Sequence, residues 1–176
     1  MTLRDLDRSE IELVWTIDRA ETIEGIYRHE GGRLELKPER FDVTGWPPGD
    51  DEVYTPEFEA CFDRGGAFRG VFDGDKLVGV VIMDSRFIGR NGDQLQMKFL
   101  HVDRARRGTG LGRRLFEEGV EIARSQGARR VYVSATPSEH TIGFYTHLGC
   151  AVTDDVDREL FELEPEDIHL EYVIPE

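Results

Sequence analysis

The stretch Leu100-His101-Val102-Asp103-Arg104-Ala105-Arg106-Arg107-Gly108-Thr109-Gly110-Leu111-Gly112-Arg113-Arg114 decides the fold. An apolar run ends at Val102 and a turn rich in glycine and arginine follows. From Gly110 to Gln126 the apolar residues Leu111, Leu115, Phe116, Val120, Ile122 and Ala123 then form one stripe at helical spacing, stopped by Gly127. The pattern reads as a strand running through a glycine turn straight into a helix. Such a turn presents several backbone N–H groups at a helix N-terminus, where unpaired donors and the positive dipole end together bind phosphate. Gly108, Gly110 and Gly112 let the backbone approach an anion with no Cβ in the way. Arg104, Arg106, Arg107, Arg113 and Arg114 cluster here in an otherwise acidic chain, as a ligand with several phosphates requires.

Other phosphate-binding turns fit poorly. A Walker A loop needs Gly-Lys-Ser/Thr, whereas this chain has Gly112-Arg113-Arg114, without the lysine or the magnesium-binding hydroxyl. A dinucleotide fold needs G-x-G-x-x-G and an acid about 20 residues on. Here the spacing is G-x-G-x-G, and the next strand ends in Ser134-Ala135-Thr136.

Upstream, Ala67 to Asp73 and Lys76 to Phe87 are apolar, β-branched runs joined by Asp73-Gly74-Asp75, and Gln94 to Val102 follows the turn Gly89 to Asp93. Three antiparallel strands are expected. Downstream, Arg130 to Ala135 reads as a strand returning parallel to its predecessor through a right-handed crossover. A helix from Ser138 to Leu148, stopped at Gly149, and a last strand from His169 to Ile174 complete this half. Nearer the N-terminus, Ser9-x-x-Glu12 resembles a capping box and predicts a helix over Ser9 to Asp18. Ile23, Ile26 and Tyr27 with Arg33 to Phe41 predict a hairpin across Gly31-Gly32. Gly45-Trp46-Pro47-Pro48-Gly49-Asp50-Asp51 predicts a loop, packed or bordering a substrate pocket. Pro56 to Arg64 predicts a short helix with Pro near its first turn. The expected fold is α/β: a central, mostly antiparallel mixed sheet with one parallel β-α-β crossover, flanked by helices.

Composition bounds the function. With 176 residues, 39% hydrophobic and 33% charged, the chain fits one globular domain, residues 1–176. Its start, MTLRDLDRSE, has no apolar signal-peptide region, and no apolar run nears the about 18 residues of a membrane helix. A cytoplasmic location is the expectation. Cys61 and Cys150 have neither metal-ligand spacing nor a disulfide framework, so both are expected as reduced packing thiols and no metal is expected. The net charge of −14 repels nucleic acid and anionic membranes and draws in cations, which suits an amine substrate. A homodimer is compatible with this composition, and the sequence sets no oligomeric state.

Arg107-x-x-Gly110-x-Gly112 resembles the Arg/Gln-x-x-Gly-x-Gly/Ala signature of the GNAT superfamily of N-acetyltransferases, placed as in that family between a strand and its longest helix. About 30 residues on, Ser138-x-x-Thr141-x-x-Phe144-Tyr145-x-x-x-Gly149-Cys150 is similar to the family's second signature, Asn-x-x-Ala-x-x-Phe-Tyr-x-x-x-Gly-Phe. Ser138 stands where asparagine is usual and Cys150 where an aromatic is usual. The resemblance covers about residues 67–150. It implies a GNAT fold and acetyl transfer from acetyl-CoA to a primary amine, with acetyl-CoA as co-substrate and no metal. It also implies that the backbone of Leu100, His101 and Val102 pairs with the pantetheine arm, in a cleft opened by a bulge. Arg107, Gly108, Thr109, Gly110, Leu111, Gly112 and Arg113 would hold the pyrophosphate, with Ser138 and Phe144 nearby.

The reaction adds demands of its own. An amine of pKa about 10 must lose a proton before attack, the tetrahedral oxyanion needs a donor such as the N–H of Leu100, and departing thiolate needs a proton. Tyr145 is the expected acid. Gln96 aligns where several family members carry a glutamate base and cannot accept a proton, though it can orient water or substrate. His101, Asp93, Asp84 and Glu57 are replacement candidates, His101 having the most suitable ordinary pKa; a water chain is the alternative. A small-molecule acceptor is the leading expectation. A protein N-terminus or lysine is the second, and a non-catalytic CoA-binding module the third.

Overall fold

The computed structural model describes residues 1–175. The chain runs through β1 (Thr2–Asp5), a 3-10 segment (Arg8–Thr16), β2 (Glu21–Glu30), β3 (Arg33–Val43), α1 (Asp50–Asp63), β4 (Ala67–Asp73), β5 (Lys76–Ile88) and β6 (Gln94–Val102). A short 3-10 turn (Arg104–Arg106) leads into α2 (Leu111–Ser125), β7 (Arg130–Ala135), α3 (Glu139–His147), β8 (Ala151–Val152), α4 (Arg158–Leu163) and β9 (Ile168–Val173). Seven strands form one sheet in the order β1-β4-β5-β6-β7-β9-β8, and β2 and β3 form a separate hairpin. Among the described residues only the β6–β7 pair of the large sheet is parallel, so the expected mixed sheet with one crossover is the observed one. Among the described residues no helix is long and apolar enough to cross a membrane.

Strand alternation sends side chains to opposite faces, and each face carries its own core. Val81, Met83, Leu95, Met97, Val131 and Val133 meet the buried stripe of α2, Leu111, Leu115, Phe116 and Val120. Gly119 brings α2 onto the sheet, since a Cβ there would stand 2.6 Å from the Met97 Cε. On the other face Leu77, Val80 and Ile82 meet Ile11, Val14, Ile17, Phe58 and Cys61. Cys61 and Cys150 are buried and free, and burial pushes their thiols up to about 11 and about 12.

Four local expectations are corrected. Ser9 to Asp18 forms no α-helix: the buried residues Ile11, Val14 and Ile17 recur every three positions, the repeat of a 3-10 helix. Its capping carboxylate is Glu10, which accepts the Asp7 N–H at 2.9 Å and is held by Arg4. The helix read from Pro56 begins at Asp50, with Pro56 inside it. Pro56 is on the exposed side, where water can satisfy the carbonyl it leaves free, and the acids Asp50, Asp51 and Glu52 in the first turn suit the positive helix end. Strands β1 and β8 and helix α4 were not expected; they are too short to show a period.

Candidate active site

Strands β6 and β7 pair only at Gln94↔Arg130, Leu95↔Val131 and Gln96↔Tyr132. Beyond that rung they part, and the β6 edge from Met97 to Val102 has no ladder partner on the β7 side. The cause is local. Phe99 pairs with Ile82 and Met97 with Met83, leaving Lys98 as the extra residue of a β-bulge, which bends its strand and raises its twist. Lys98 and Phe99 thus share the face away from α2, while Leu100 and Val102 pack toward α2. The stretch expected to hold pantetheine is therefore a free strand edge along a cleft.

That edge leads directly to the glycine turn. Gly108 and Gly110 have φ of 73° and 85°, left-handed values that favour glycine. Gly110 is the N-cap of α2 and supplies no side-chain cap. Among the described residues, no hydrogen bond uses the N–H groups of Gly108 to Arg113, and a Cβ built on either glycine meets nothing within 4 Å. Open space thus lies before a row of free donors at the positive end of a 15-residue helix, the arrangement that receives a phosphate group. Thr109 closes the turn by donating to the Arg106 carbonyl at 2.7 Å. The arginines divide their work. Arg107 turns inward, donating to the carbonyls of Val102 at 3.3 Å and Ala20 at 3.1 Å, so its side chain anchors the turn. Arg113 and Arg114 stay exposed at the helix start. At Gly112 a Cβ would lie 3.2 Å from the Phe144 ring, so this glycine seats α2 against α3.

Helix α3 contributes Phe144 and Tyr145. Tyr145 is buried with its ring 6.1 Å from Phe116 and 5.1 Å from Phe144. Burial, with smaller effects of Cys150 and Asp167, pushes its phenol well above the ordinary value, so it stays protonated and able to donate. Ser138, expected as a cofactor contact, is fully buried. It is the N-cap of α3, accepting the Thr141 N–H at 3.2 Å and donating to Thr141 Oγ1 at 2.9 Å, so its role is to set the helix start.

The opposite face of the cleft carries the candidate bases. His101 lies 4.4 Å from Phe99 and 4.9 Å from Trp46, ring to ring. Burial, with Arg19 and Arg107 nearby, drives its pKa down to about 3, removing the near-neutral value that recommended it. Gln96 is buried on the last paired rung and its side chain makes no hydrogen bond among the described residues. It lines a cavity of about 520 Å³ with Asp84, Arg86 and the start of α4. Asp84 is a weak base: burial pushes it up, but bonds from Arg64 at 2.6 and 3.0 Å and from the Arg86 N–H prevail and hold it low. Asp93 is paired to Arg130 at 2.8 Å and Glu57 lies 3.9 Å from Lys98.

Trp46 is part of a packed loop. Its indole N–H donates to the Ile17 carbonyl at 3.0 Å, its ring stacks on Phe99, and the Arg19 guanidinium lies 4.9 Å over it. Beside it sits a group of acids assembled from both chain ends. Tyr54 donates to Glu164 at 2.5 Å, tying α1 to the segment after α4. Burial raises Asp50, whose charge neighbours are Arg19, Glu164 and Asp51. Asp167 accepts the Ser134 hydroxyl at 2.9 Å. Glu164 and Asp167 escaped the sequence reading because nothing local marks them; only the return of β9 alongside β7 brings them here.

Residues 33–150 match the family model described as the Acetyltransferase (GNAT) family. Glucosamine 6-phosphate N-acetyltransferase 1 of Oryza sativa subsp. japonica is 31% identical over 109 residues, which cover 58% of this chain and 65% of the relative's length. Among solved structures, nourseothricin acetyltransferase superposes with a TM-score of 0.73 at 19% identity, covering 99% of this chain and 98% of its own. An aminoglycoside 6'-N-acetyltransferase complexed with coenzyme A reaches 0.65 at 15% identity, covering 100% and 98%. At such identities the likeness to the solved structures is one of fold.

Proposed function

Because the chain belongs to the GNAT family of acetyltransferases, we propose that it is an N-acetyltransferase that passes acetyl from acetyl-CoA to the primary amine of a small, cationic molecule. The observation that carries this reading is the continuity of a strand edge without a ladder partner, Met97 to Val102, with the open donors of Gly108 to Arg113. Pantetheine would add to the edge as a strand adds to a sheet, and the pyrophosphate would sit on the helix end. The thioester then lies near the bulge, where an N–H such as that of Leu100 can stabilise the tetrahedral oxyanion. Tyr145, buried and protonated, would give its proton to the departing thiolate.

The amine would enter from the face away from α2. Asp50 and Glu164, close to Arg19, Trp46 and Tyr54, supply negative potential there, in keeping with the chain's net charge of −14 and with an ammonium acceptor. The 31% identical relative is named for glucosamine 6-phosphate, a small amino sugar, which supports a small-molecule acceptor. The two apolar cores on opposite faces of one sheet support reading the chain as a single domain.

Thiol release from acetyl-CoA, measured against polyamines, aminoglycosides, amino sugars, amino acids and peptides, tests the reading. Turnover with small cationic amines supports it. Turnover confined to peptides moves the acceptor to a protein N-terminus or lysine, and CoA binding without turnover leaves a CoA-binding module.

A further inference from the structure

We propose that Asp167 is the catalytic residue that takes the proton from the acceptor ammonium, acting at the rim of the cleft beside Ser134. The proposal rests on the acetyl-transfer reading and deepens it, since Gln96 and His101 leave that reaction without a base.

The placement follows from strand register. The last β6–β7 rung joins Gln96 to Tyr132, so Ser134, two residues on, stands where the strands have already parted. Val131, Val133 and Ala135 face the α2 core, so alternation sends Ser134 to the acceptor face. Asp167 Oδ2 accepts the Ser134 hydroxyl at 2.9 Å, and its other oxygen has no hydrogen bond among the described residues. Asp167 also lines a cavity of about 600 Å³ shared with β2 and α4.

Asp167 differs from four other enclosed carboxylates that have a cationic partner. Asp84 is clamped by Arg64, Asp103 by Lys76, and Asp93 and Glu171 by Arg130. No cation lies within 4 Å of Asp167 among the described residues. An enclosed carboxylate without a cationic partner costs folding free energy, and a base must be free to gain a proton. Burial raises its pKa to about 6, with Glu164 adding to the rise while Ser134 opposes it. That brings the base nearer the operating pH, where general-base catalysis works best.

Titratable and charged groups surround it. Glu164 and Glu166 lie on its own segment. Tyr54 on α1 and Tyr132 on β7 feel its charge, as does Tyr145 on α3. His169 on β9 and Arg28, His29 and Glu30 on β2 line the same cavity. Arg28 is engaged by Glu39 at 3.4 Å and Glu166 at 3.7 Å. Burial lowers His169, and its Nδ1 shares a 2.6 Å hydrogen bond with the Tyr132 hydroxyl.

Protons and electron pairs balance across the step. The ammonium gives one proton to Asp167, and the freed lone pair forms the N–C bond on the thioester carbonyl. As the tetrahedral oxyanion collapses the C–S bond breaks, and its electron pair leaves on sulfur, which takes the Tyr145 proton. The second N–H proton restores Tyr145 through water, and Asp167 releases its proton to solvent.

The test compares the full-length wild type with Asp167→Asn, Asp167→Glu and Ser134→Ala, using spermidine, kanamycin and glucosamine 6-phosphate as acceptors from pH 5 to 9. The wild-type kcat/KM should fall on an acid limb near pH 6. Asp167→Asn should lose that limb and roughly 100-fold or more of kcat/KM, within the range of general-base catalysis, while Asp167→Glu recovers part. CoA affinity by calorimetry should be equal in all four proteins. Melting gives a second readout independent of turnover. Asp167→Asn should melt higher than wild type at pH 8, with the gap closing toward pH 4 as the wild-type carboxyl takes up its proton. Asp167→Asn turnover within threefold of wild type on an unchanged limb overturns this role alone. Absence of wild-type thiol release with all three amines overturns the small-amine acceptor reading and this proposal with it.

Discussion

Replacing Gly110 separates the folding role of the glycine turn from its binding role. Gly110 sits at φ 85° and a Cβ added there would meet nothing within 4 Å, so Gly110→Ala meets no clash and suffers only the left-handed backbone. That conformation costs a residue with a Cβ about 1–2 kcal/mol, or about 2–8 °C in Tm for a chain of this size. Gly74, at φ 61° in the β4–β5 turn and equally open, should lose the same stability in Gly74→Ala, which makes it the control. Binding should part the two. A methyl at Gly110 projects into the space before the free amides, and each charged hydrogen bond it displaces is worth about 1.5–3 kcal/mol, about 10- to 150-fold in Kd. Gly110→Val, with a branched Cβ, should weaken CoA further. Calorimetric titration with CoA, beside melting curves of the same samples, measures both. A folded Gly110→Val protein that binds CoA with the wild-type Kd would refute the placement of the pyrophosphate. Equal losses of affinity in Gly74→Ala and Gly110→Ala would show that the effect is one of folding.

Tyr145→Phe removes the proposed acid while keeping the ring contacts with Phe116 and Phe144; kcat should fall roughly 10- to 1,000-fold with little change in the acetyl-CoA KM, and a wild-type kcat would leave Tyr145 as packing. Asp50→Asn and Glu164→Gln should raise the KM of a cationic acceptor and leave that of acetyl-CoA unchanged, an effect that shrinks as salt is added; acceptor kinetics indifferent to both changes would put the ammonium elsewhere. His101 binds its proton less tightly in the folded chain, at about 3, than its ordinary 6.5. Its contribution to stability is therefore complete above pH 6.5 and is lost as pH falls toward 3. The Tm of His101→Gln should accordingly drop less than that of wild type between pH 7.5 and 4.5, and parallel curves would show that the ring titrates normally.

The sheet core and the glycine turn were legible from residue order alone because their determinants are local. The Asp73-Gly74-Asp75 turn and the apolar runs beside it specify β4 and β5, and the stripe from Leu111 to Ala123 specifies α2. Gly108 and Gly110 take the left-handed conformations that a strand-to-helix anion turn needs. A period of two or 3.6 and a glycine at a bend require no partner from elsewhere in the chain. The face away from α2 depends on contacts between distant segments. No spacing shows that Lys98 is the extra residue of a bulge, because a bulge exists only relative to the paired strand β5. His101 looks titratable until Phe99, Trp46, Arg19 and Arg107 surround it, and Ser138 looks available until it caps α3. Asp167 is 33 residues from Ser134 and reads as one acid among 36; its hydrogen bond exists because β9 returns antiparallel to β7, setting His169 opposite Ser134. Charge and burial at such a point come from what the fold packs against it, so sequence alone determined where the glycine turn before α2 lies, and tertiary structure decided which side chains are enclosed and paired around it.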